Sequence, residues 1–179
     1  MQVCAAVQSA ANPLPTMAKS KGKNSFPNAV HLTVVSVPRA LRFYEEKLGF
    51  KLGGQWPEGD KPVYAKMELD GQVVMLGELP SLVEARQMGL DAQELEVVKQ
   101  DARALARGTG GIGVAVYLQV KDVDRFAAKM KKRRVKLLLP PKTQFYGARE
   151  CALNDLDGYR LVFYCASPVP AADASPADD

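Results

Sequence analysis

Short hydrophobic segments with alternating polar positions recur along the chain, and this pattern is typical of half-buried strands. In the first segment, Val30, Leu32 and Val34 share one face of a predicted strand, while His31 and Thr33 share the other. The alternation therefore predicts a sheet with one face packed on apolar elements and a second face of mixed character.

A helix and three further strands are predicted after this first strand. Pro38 favours the first turn of a helix, and Gly49 favours its end. Asp70-Gly71 is typical of a tight hairpin turn between two strands. The predicted strands after the helix are residues 50–56, 63–69 and 72–77, so the order of elements is β-α-β-β-β.

The same order of elements returns in the second half of the chain. Asp122 follows a strand and is typical of the residue that caps the start of a helix. Pro140-Pro141 is interpreted as the break that ends a strand at Leu139. The predicted strands of this half are residues 114–120, 135–139, 149–153 and 159–164. The repeat predicts an α+β fold built from two βαβββ modules.

The composition changes at both ends of the chain, where Ala, Ser and Pro are frequent and periodicity is absent. We therefore expect a disordered arm at residues 1–26 and a disordered tail at residues 166–179. Between them we expect a first module at 27–80, a helical linker at 81–111 and a second module at 112–165.

Composition and charge narrow the possible functions. The chain of 179 residues has one histidine, so a site with several imidazole metal ligands cannot form within it. Its three cysteines lack CxxC spacing, which favours a reducing compartment such as the cytoplasm. No apolar run approaches the roughly 18 residues that span a bilayer. The net charge of +4 is modest, and no aromatic residues interleave the basic run at 129–136, so nucleic-acid binding is not expected.

Four motifs carry a resemblance to a known family: residues 40–50 (ALRFYEEKLGF), 120–124 (VKDVD), 146–150 (YGARE) and 155–159 (DLDGY). Together they resemble the vicinal oxygen chelate superfamily, which includes glyoxalase I, extradiol dioxygenases and bleomycin-resistance proteins. The last two motifs look most similar to bleomycin-resistance-like members. The resemblance implies that the paired modules curl a mixed sheet into a cup that holds a ligand, often in a homodimer.

Metal-using members of this family place ligands on the first and fourth strands of each module. Carried over onto this chain, those positions hold Ala29, Met75, Ala115 and Val162. None of these side chains suits a hard or borderline cation, so the resemblance implies a cup without metal or other cofactor. His31 lies two residues after Ala29 and is interpreted as a polar pocket wall or a hydrogen-bonded buried imidazole.

The phase of the predicted strands indicates which side chains line the cup. Tyr117 and Tyr164 can stack on a planar ring, and Arg160 can pair with a carboxylate or phosphate. The same residues could instead fill a closed barrel or pack at a dimer interface. The predicted ligand-binding residues are His31, Thr33, Met75, Tyr117, Gln119, Arg160 and Tyr164, beside the apolar Val162.

We therefore expect a small-molecule-binding protein of the sequestering, resistance type, with a planar or anionic ligand and no catalytic residues. One alternative is a glyoxalase-type lyase or isomerase, or a dioxygenase, with a shifted metal site that uses His31 and Glu78. A second alternative is a non-catalytic interaction or regulatory module. The resemblance implies a homodimer, and no membrane partner is expected.

Overall fold

The computed structural model describes residues 29–108 and 111–167, so the predicted arm and most of the predicted tail lie outside the described residues. The first part contains β1 (Val30–Val34), α1 (Val37–Arg42) with a π-helical continuation (Phe43–Leu48), β2 (Lys51–Trp56), β3 (Tyr64–Leu69), β4 (Gln72–Glu78), α2 (Leu82–Gln87) and α3 (Ala92–Ala106). The second part contains β5 (Ala115–Gln119), α4 (Val123–Lys132), β6 (Leu139–Thr143), β7 (Ala148–Asn154) and β8 (Arg160–Ala166).

The strands form two four-stranded sheets with the same internal order, β1-β4-β3-β2 and β5-β8-β7-β6. The pairs β1–β4 and β5–β8 are parallel, and the other neighbouring pairs are antiparallel. The predicted α+β fold of two βαβββ modules is therefore confirmed. We call β1, α1 and β2 to β4 the first module, and β5, α4 and β6 to β8 the second module.

One face of each sheet packs against the helices and forms the core. On this face the strands bury Leu32, Val34, Val116, Leu118, Leu161 and Phe163. Val30, which was predicted on the same face as Leu32 and Val34, is 39% exposed at the start of β1. The ring of Phe126 on α4 stacks on Phe163 with centroids 4.0 Å apart. On the first helix, Tyr44 is buried and its ring meets Phe50 edge to face at 5.1 Å. Burial of apolar area against the helices thus explains why every second residue of these strands is apolar.

The predicted turn at 155–158 also joins the two modules. The Tyr44 hydroxyl donates a hydrogen bond of 2.9 Å to Asp155 Oδ2, and the pair is buried. The Val35 amide donates to Asp157 Oδ1 at 3.1 Å, and the Tyr159 hydroxyl donates to the Thr33 carbonyl at 2.8 Å. Burial raises the pKa of Asp155, while its hydrogen bonds act in the opposite direction. Both aspartates therefore have a structural role, because their carboxylates accept hydrogen bonds from residues of the first module.

Gln72 links the modules at the other end of β1. Its side-chain amide donates to the Gln119 carbonyl at 2.8 Å and accepts from the Gln119 amide at 2.7 Å. A single side chain thus satisfies both backbone groups of the last residue of β5. Because β1 and β5 are edge strands of their own sheets, this contact closes one end of the seam between them.

The predicted strand at residues 135–139 is wrong at both ends, since Leu139 is the only one of these residues that lies in a strand. The structure places β6 at Leu139–Thr143, so Pro140 and Pro141 lie within the strand that they were expected to terminate. β6 is the edge strand of its sheet, and its pairing with β7 shifts register between Leu139 and Lys142. Proline lacks an N–H donor, but at a bulge on an edge strand no ladder hydrogen bond is lost.

The predicted helical linker is divided into two helices. α2 and α3 each begin with a capping box, formed by Ser81 with Glu84 and by Asp91 with Glu94. Gly89 separates the two helices with a φ of 82°, in the left-handed region. None of the helices in the described part of the chain is long and apolar enough to cross a membrane.

Candidate ligand-binding face

The sheet faces turned away from the helices carry the predicted ligand-binding residues, and we call them the open faces. Side chains on a strand alternate between faces, so each residue between two core residues points to the open face. On the first module the open face includes His31, Thr33 and Met75. On the second module it includes Tyr117, Gln119, Arg160, Val162 and Tyr164.

His31 is the second residue of β1, opposite Met75 on β4, and its side chain is exposed. The imidazole occupies the space above Gly77, where a Cβ atom would collide with the ring nitrogen Nε2. Glycine at this position therefore leaves room for the histidine ring. Thr33, two residues further along β1, is half-buried.

An aromatic pair marks the open face of the second module. Tyr117 on β5 and Tyr164 on β8 meet edge to face, with ring centroids 6.1 Å apart. Tyr117, on the edge strand β5, is 54% exposed, which is high for a large aromatic ring. Val162 pairs with Tyr117 across the strands and is buried, whereas Gln119 and Arg160 are exposed. The face thus combines aromatic, apolar and hydrogen-bonding groups, as ligand sites commonly do.

A carboxylate that was not among the predicted site residues lies beside this pair. Glu150 on β7 pairs with Tyr164 across the sheet and is only 9% exposed. Its Oε1 accepts a hydrogen bond of 2.9 Å from the Tyr146 hydroxyl. This bond raises the pKa of Tyr146, with smaller contributions from burial and from the nearby Glu150 and Tyr117 charges. The phase of β7 could have indicated Glu150, since the next residue, Cys151, is buried in the core.

A cleft of about 530 Å³ follows the seam between the two modules. Among the predicted site residues, Tyr117 lines it. The remaining lining residues are Ala29, Val30, Gly71, Gln72, Val73, Val116 and Leu118. The cleft is therefore mainly apolar, and Tyr117 belongs both to its lining and to the aromatic pair of the second module.

Comparison with known proteins identifies the family. A model of the Glyoxalase/Bleomycin resistance protein/Dioxygenase superfamily matches residues 27–163. The chain belongs to this superfamily. No curated protein matches the chain.

Several solved structures are similar to this chain in fold. TioX from Micromonospora sp. ML1 superposes with a TM-score of 0.56 at 19% identity, over 77% of this chain and 96% of TioX. TnmS3, an antibiotic binding protein from Streptomyces sp. CB03234, gives 0.54 at 18% identity, over 82% of this chain and 99% of TnmS3. A glyoxalase/bleomycin resistance protein/dioxygenase from Nocardioides gives 0.55 at 19% identity, over 80% and 86%.

The residues at the metal-ligand positions of the superfamily do not fit a metal ion. On the open faces, His31 pairs with Met75, and Tyr117 pairs with Val162 at the equivalent place in the second module. Ala29 and Ala115 lie two residues before these strand positions and offer no donor atom. In the described residues, no group of three or more His, Cys, Asp or Glu side chains is placed to hold a metal.

The structure does not bring His31 and Glu78 together, which corrects the alternative of a shifted metal site. Glu78 pairs with Val34 of the core, so its side chain lies on the face opposite to His31. Its Oε2 accepts a hydrogen bond of 3.0 Å from the Val37 amide at the start of α1. Side chains alternate along a strand, so Glu78, three residues after Met75, lies on the opposite face from Met75 and His31.

Proposed function

We propose that this superfamily member binds a small planar molecule on its open faces and sequesters it without a metal and without chemical conversion. The observation that carries the proposal is an aromatic pair, formed by the exposed Tyr117 and the half-buried Tyr164, beside apolar and hydrogen-bonding neighbours. When a ligand ring covers the exposed ring of Tyr117, apolar area is removed from water, and this favours binding.

The remaining predicted site residues can supply recognition at the edges of such a ligand. Gln119 and Arg160 are exposed on the open face of the second module, and His31 is exposed on that of the first. An amide, a guanidinium and an imidazole offer donors for polar groups of a bound molecule. Similarity in fold to TnmS3, described as an antibiotic binding protein, is consistent with sequestration.

A direct test measures metal content and binding in the same preparation. Purified protein should contain no stoichiometric metal by mass spectrometry, and treatment with a chelator should leave its binding unchanged. Acridone, a neutral tricyclic ring, serves as the fluorescent probe. Tyr117→Ala should weaken acridone binding by about tenfold, the effect of losing one ring contact worth about 1–1.5 kcal/mol.

Val97→Ala provides the control for that test, because Val97 is an exposed apolar residue on α3, outside the open faces. It should bind acridone as the unmodified protein does. Stoichiometric zinc, nickel or iron that is lost on His31→Ala would contradict the metal-free part of the proposal. Equal binding by Tyr117→Ala and the unmodified protein would contradict the site.

We further infer that two copies of the chain associate. Large apolar side chains are exposed near the edges of both sheets, including Trp56 and Val63 in the first module and Leu139 and Phe145 in the second. Burial of such residues between copies would remove apolar area from water. Sedimentation at several protein concentrations should yield the mass of a dimer, and a monomer at all concentrations would contradict this inference.

A further inference from the structure

We propose that a cavity at the C-terminal end of α4 binds a small organic molecule that carries phosphate groups. The cavity lies in the connection from α4 to β6, outside the open faces, so this site is additional to the proposed function. Its volume is about 340 Å³, and its lining residues are Lys131, Arg134, Val135, Lys136 and Leu137. Pockets that hold small organic ligands have volumes of roughly 300–1,000 Å³.

Positive charge is concentrated around this cavity. Six of the eight residues from 129 to 136 are cationic, namely Lys129, Lys131, Lys132, Arg133, Arg134 and Lys136. The chain has a net charge of +4, so these six cations account for more than all of it. None of them forms an ion pair with a carboxylate of the described residues. Like charges three or four residues apart at a helix end repel one another, and an anion bound among them would relieve this repulsion.

Arg134 holds a backbone conformation that arginine rarely adopts, with a φ of 57° in the left-handed region. Its amide donates to the Lys131 carbonyl at 3.1 Å. The Val135 amide donates to the Met130 carbonyl at 2.9 Å, so Arg134 occupies the position that glycine usually fills after a helix. The helix of the first module follows that preference and ends at Gly49, with a φ of 88°. An arginine that is unfavourable for the backbone is explained if its side chain is needed for binding.

Capping of the helix end does not explain the three cations that line the cavity. The carbonyls of residues 129–131 already accept hydrogen bonds from the backbone amides of residues 133–135. The side chains of Lys131, Arg134 and Lys136 make no ion pair with the described residues. The negative end of the helix dipole favours cations in the last turn, but Lys136 lies four residues beyond α4.

Phosphate is the anion that this set of side chains fits. The planar guanidinium of Arg134 can bind two phosphate oxygens at once, and the ammonium groups of Lys131 and Lys136 add two point charges. Val135 and Leu137 are half-buried and pack against the core, so they give the cavity an apolar wall. A phosphate with an apolar organic part therefore matches the cavity better than inorganic phosphate does.

Two macromolecular partners that carry phosphate groups match the cavity less well. Binding of single-stranded nucleic acid uses aromatic side chains on which bases stack, and no aromatic residue lines the cavity. Anionic membranes bind surfaces whose apolar side chains insert into the lipid, whereas Val135 and Leu137 are half-buried. Leu138 and Leu139 are exposed beyond the cavity, so the test includes lipid vesicles.

Isothermal titration calorimetry at low ionic strength compares three probes: isopentenyl diphosphate, methyl diphosphate and the neutral alcohol isopentenol. Isopentenyl diphosphate should bind about fivefold more tightly than methyl diphosphate, the effect of burying roughly one methylene group against the apolar wall. Isopentenol should bind at least about a hundredfold more weakly than isopentenyl diphosphate, because it makes none of the charge-assisted contacts.

Arg134→Gly separates binding from folding. It should weaken binding of isopentenyl diphosphate by about tenfold, the effect of one charge-assisted contact. It should leave the midpoint of thermal unfolding unchanged or raise it, because glycine adopts a positive φ without strain.

Lys136→Gln and Lys129→Gln form a matched pair, because each removes one positive charge from an exposed position. Lys136 lines the cavity and Lys129 does not. Lys136→Gln should weaken binding of isopentenyl diphosphate by about tenfold, and Lys129→Gln should change it by less than about twofold.

Three results would overturn the inference. Equal weakening by Lys129→Gln and Lys136→Gln would show a diffuse attraction to charge. Tighter binding to DNA or to phosphatidylglycerol vesicles than to isopentenyl diphosphate, lost in Arg134→Gly, would assign the cations to a macromolecular partner. The third result is failure of both diphosphates to bind the unmodified protein. Acridone binding at the open faces is a separate measurement, and Arg134→Gly should retain it.

Discussion

His31 and Gly77 share one space on the open face of the first module. The histidine ring lies over the glycine on the neighbouring strand, so the two residue types depend on each other. A strand interior normally favours a β-branched or aromatic residue, and glycine there costs stability. Its presence is explained by the imidazole, which needs the volume that a side chain at residue 77 would occupy.

The dependence predicts a measurable coupling between the two positions. Gly77→Ala should be less favourable by about 0.5–1.5 kcal/mol in the unmodified protein than in a His31→Ala background, because the new Cβ forces the exposed ring out of its rotamer. The double variant with His31→Ala should recover much of that loss, since the clash is then removed. Urea unfolding followed by circular dichroism measures both values.

Gly54→Ala is the control for this cycle, because nothing lies within 4 Å of a Cβ at that position on β2. Its cost should be small and independent of His31. Additive losses in the Gly77 and His31 variants would contradict the shared space.

At the scale of elements, the two equivalent helices start in different ways. Asp122 caps α4 with its own side chain, which accepts a hydrogen bond of 2.9 Å from the Arg125 amide. Ser36 holds the same position before α1 but makes no side-chain cap bond. At α1 the carboxylate of Glu78, from the end of β4, accepts a hydrogen bond from the Val37 amide. A tertiary contact thus replaces a local one at the first helix.

The difference predicts unequal effects of three alanine substitutions. Asp122→Ala should destabilise the protein by about 0.5–2 kcal/mol, the usual cost of a lost cap. Glu78→Ala should have an effect of similar size, because it leaves the Val37 amide without its acceptor. Ser36→Ala serves as the matched control and should change stability little. Chemical denaturation of the variants measures these effects, and an equal loss for Ser36 and Asp122 would contradict the assignment.

At the scale of the whole molecule, the buried pair of Tyr44 and Asp155 holds the modules together. Burial raises the pKa of Tyr44 well above its ordinary value, and the nearby Asp155 carboxylate adds to the effect. The phenol therefore keeps its proton in the folded state at a pH where the unfolded chain loses it. The stability gained from this difference is complete below about pH 10 and is lost as the pH rises further.

Tyr44→Phe tests this contact in two ways. Near neutral pH the free energy of unfolding of the variant should be lower by about 1–3 kcal/mol, because the buried Oδ2 of Asp155 loses its hydrogen-bond donor. Above about pH 10 its stability should fall less steeply than that of the unmodified protein, by at most about 1.4 kcal/mol per pH unit, since one tyrosine no longer titrates. Urea unfolding across this pH range measures both.

Tyr64→Phe is the control for that series, as Tyr64 is half-buried and has no hydrogen bond to its side chain among the described residues. Its stability should follow the curve of the unmodified protein. Parallel curves for Tyr44→Phe and the unmodified protein above pH 10 would show that the folded state does not retain the Tyr44 proton.

Local patterns predicted much of the fold. The alternation around Leu32 and Leu118, the cap at Asp122 and the turn at Asp70-Gly71 were enough to recover the repeat of βαβββ, because each reflects a preference of neighbouring residues. The pattern failed at Pro140, because tolerance of proline depends on whether the strand lies at a sheet edge. For the candidate site, strand phase placed Tyr117 and Tyr164 on one face, which the structure confirms as a ring pair.

What the sequence determined by itself is the order of elements, the buried face of each strand and the apolar character of the positions where metal-using relatives carry ligands. These features follow from residue type and from the side-chain periods of strands (two residues) and helices (3.6 residues), which do not depend on distant contacts. Only the tertiary structure decided that Glu78 caps a helix, that Asp155 joins the modules and that Glu150 accepts a hydrogen bond from Tyr146 beside Tyr164. Each of these roles is set by a partner brought close through packing of the whole chain, and a carboxylate has no local preference that distinguishes one such role from another.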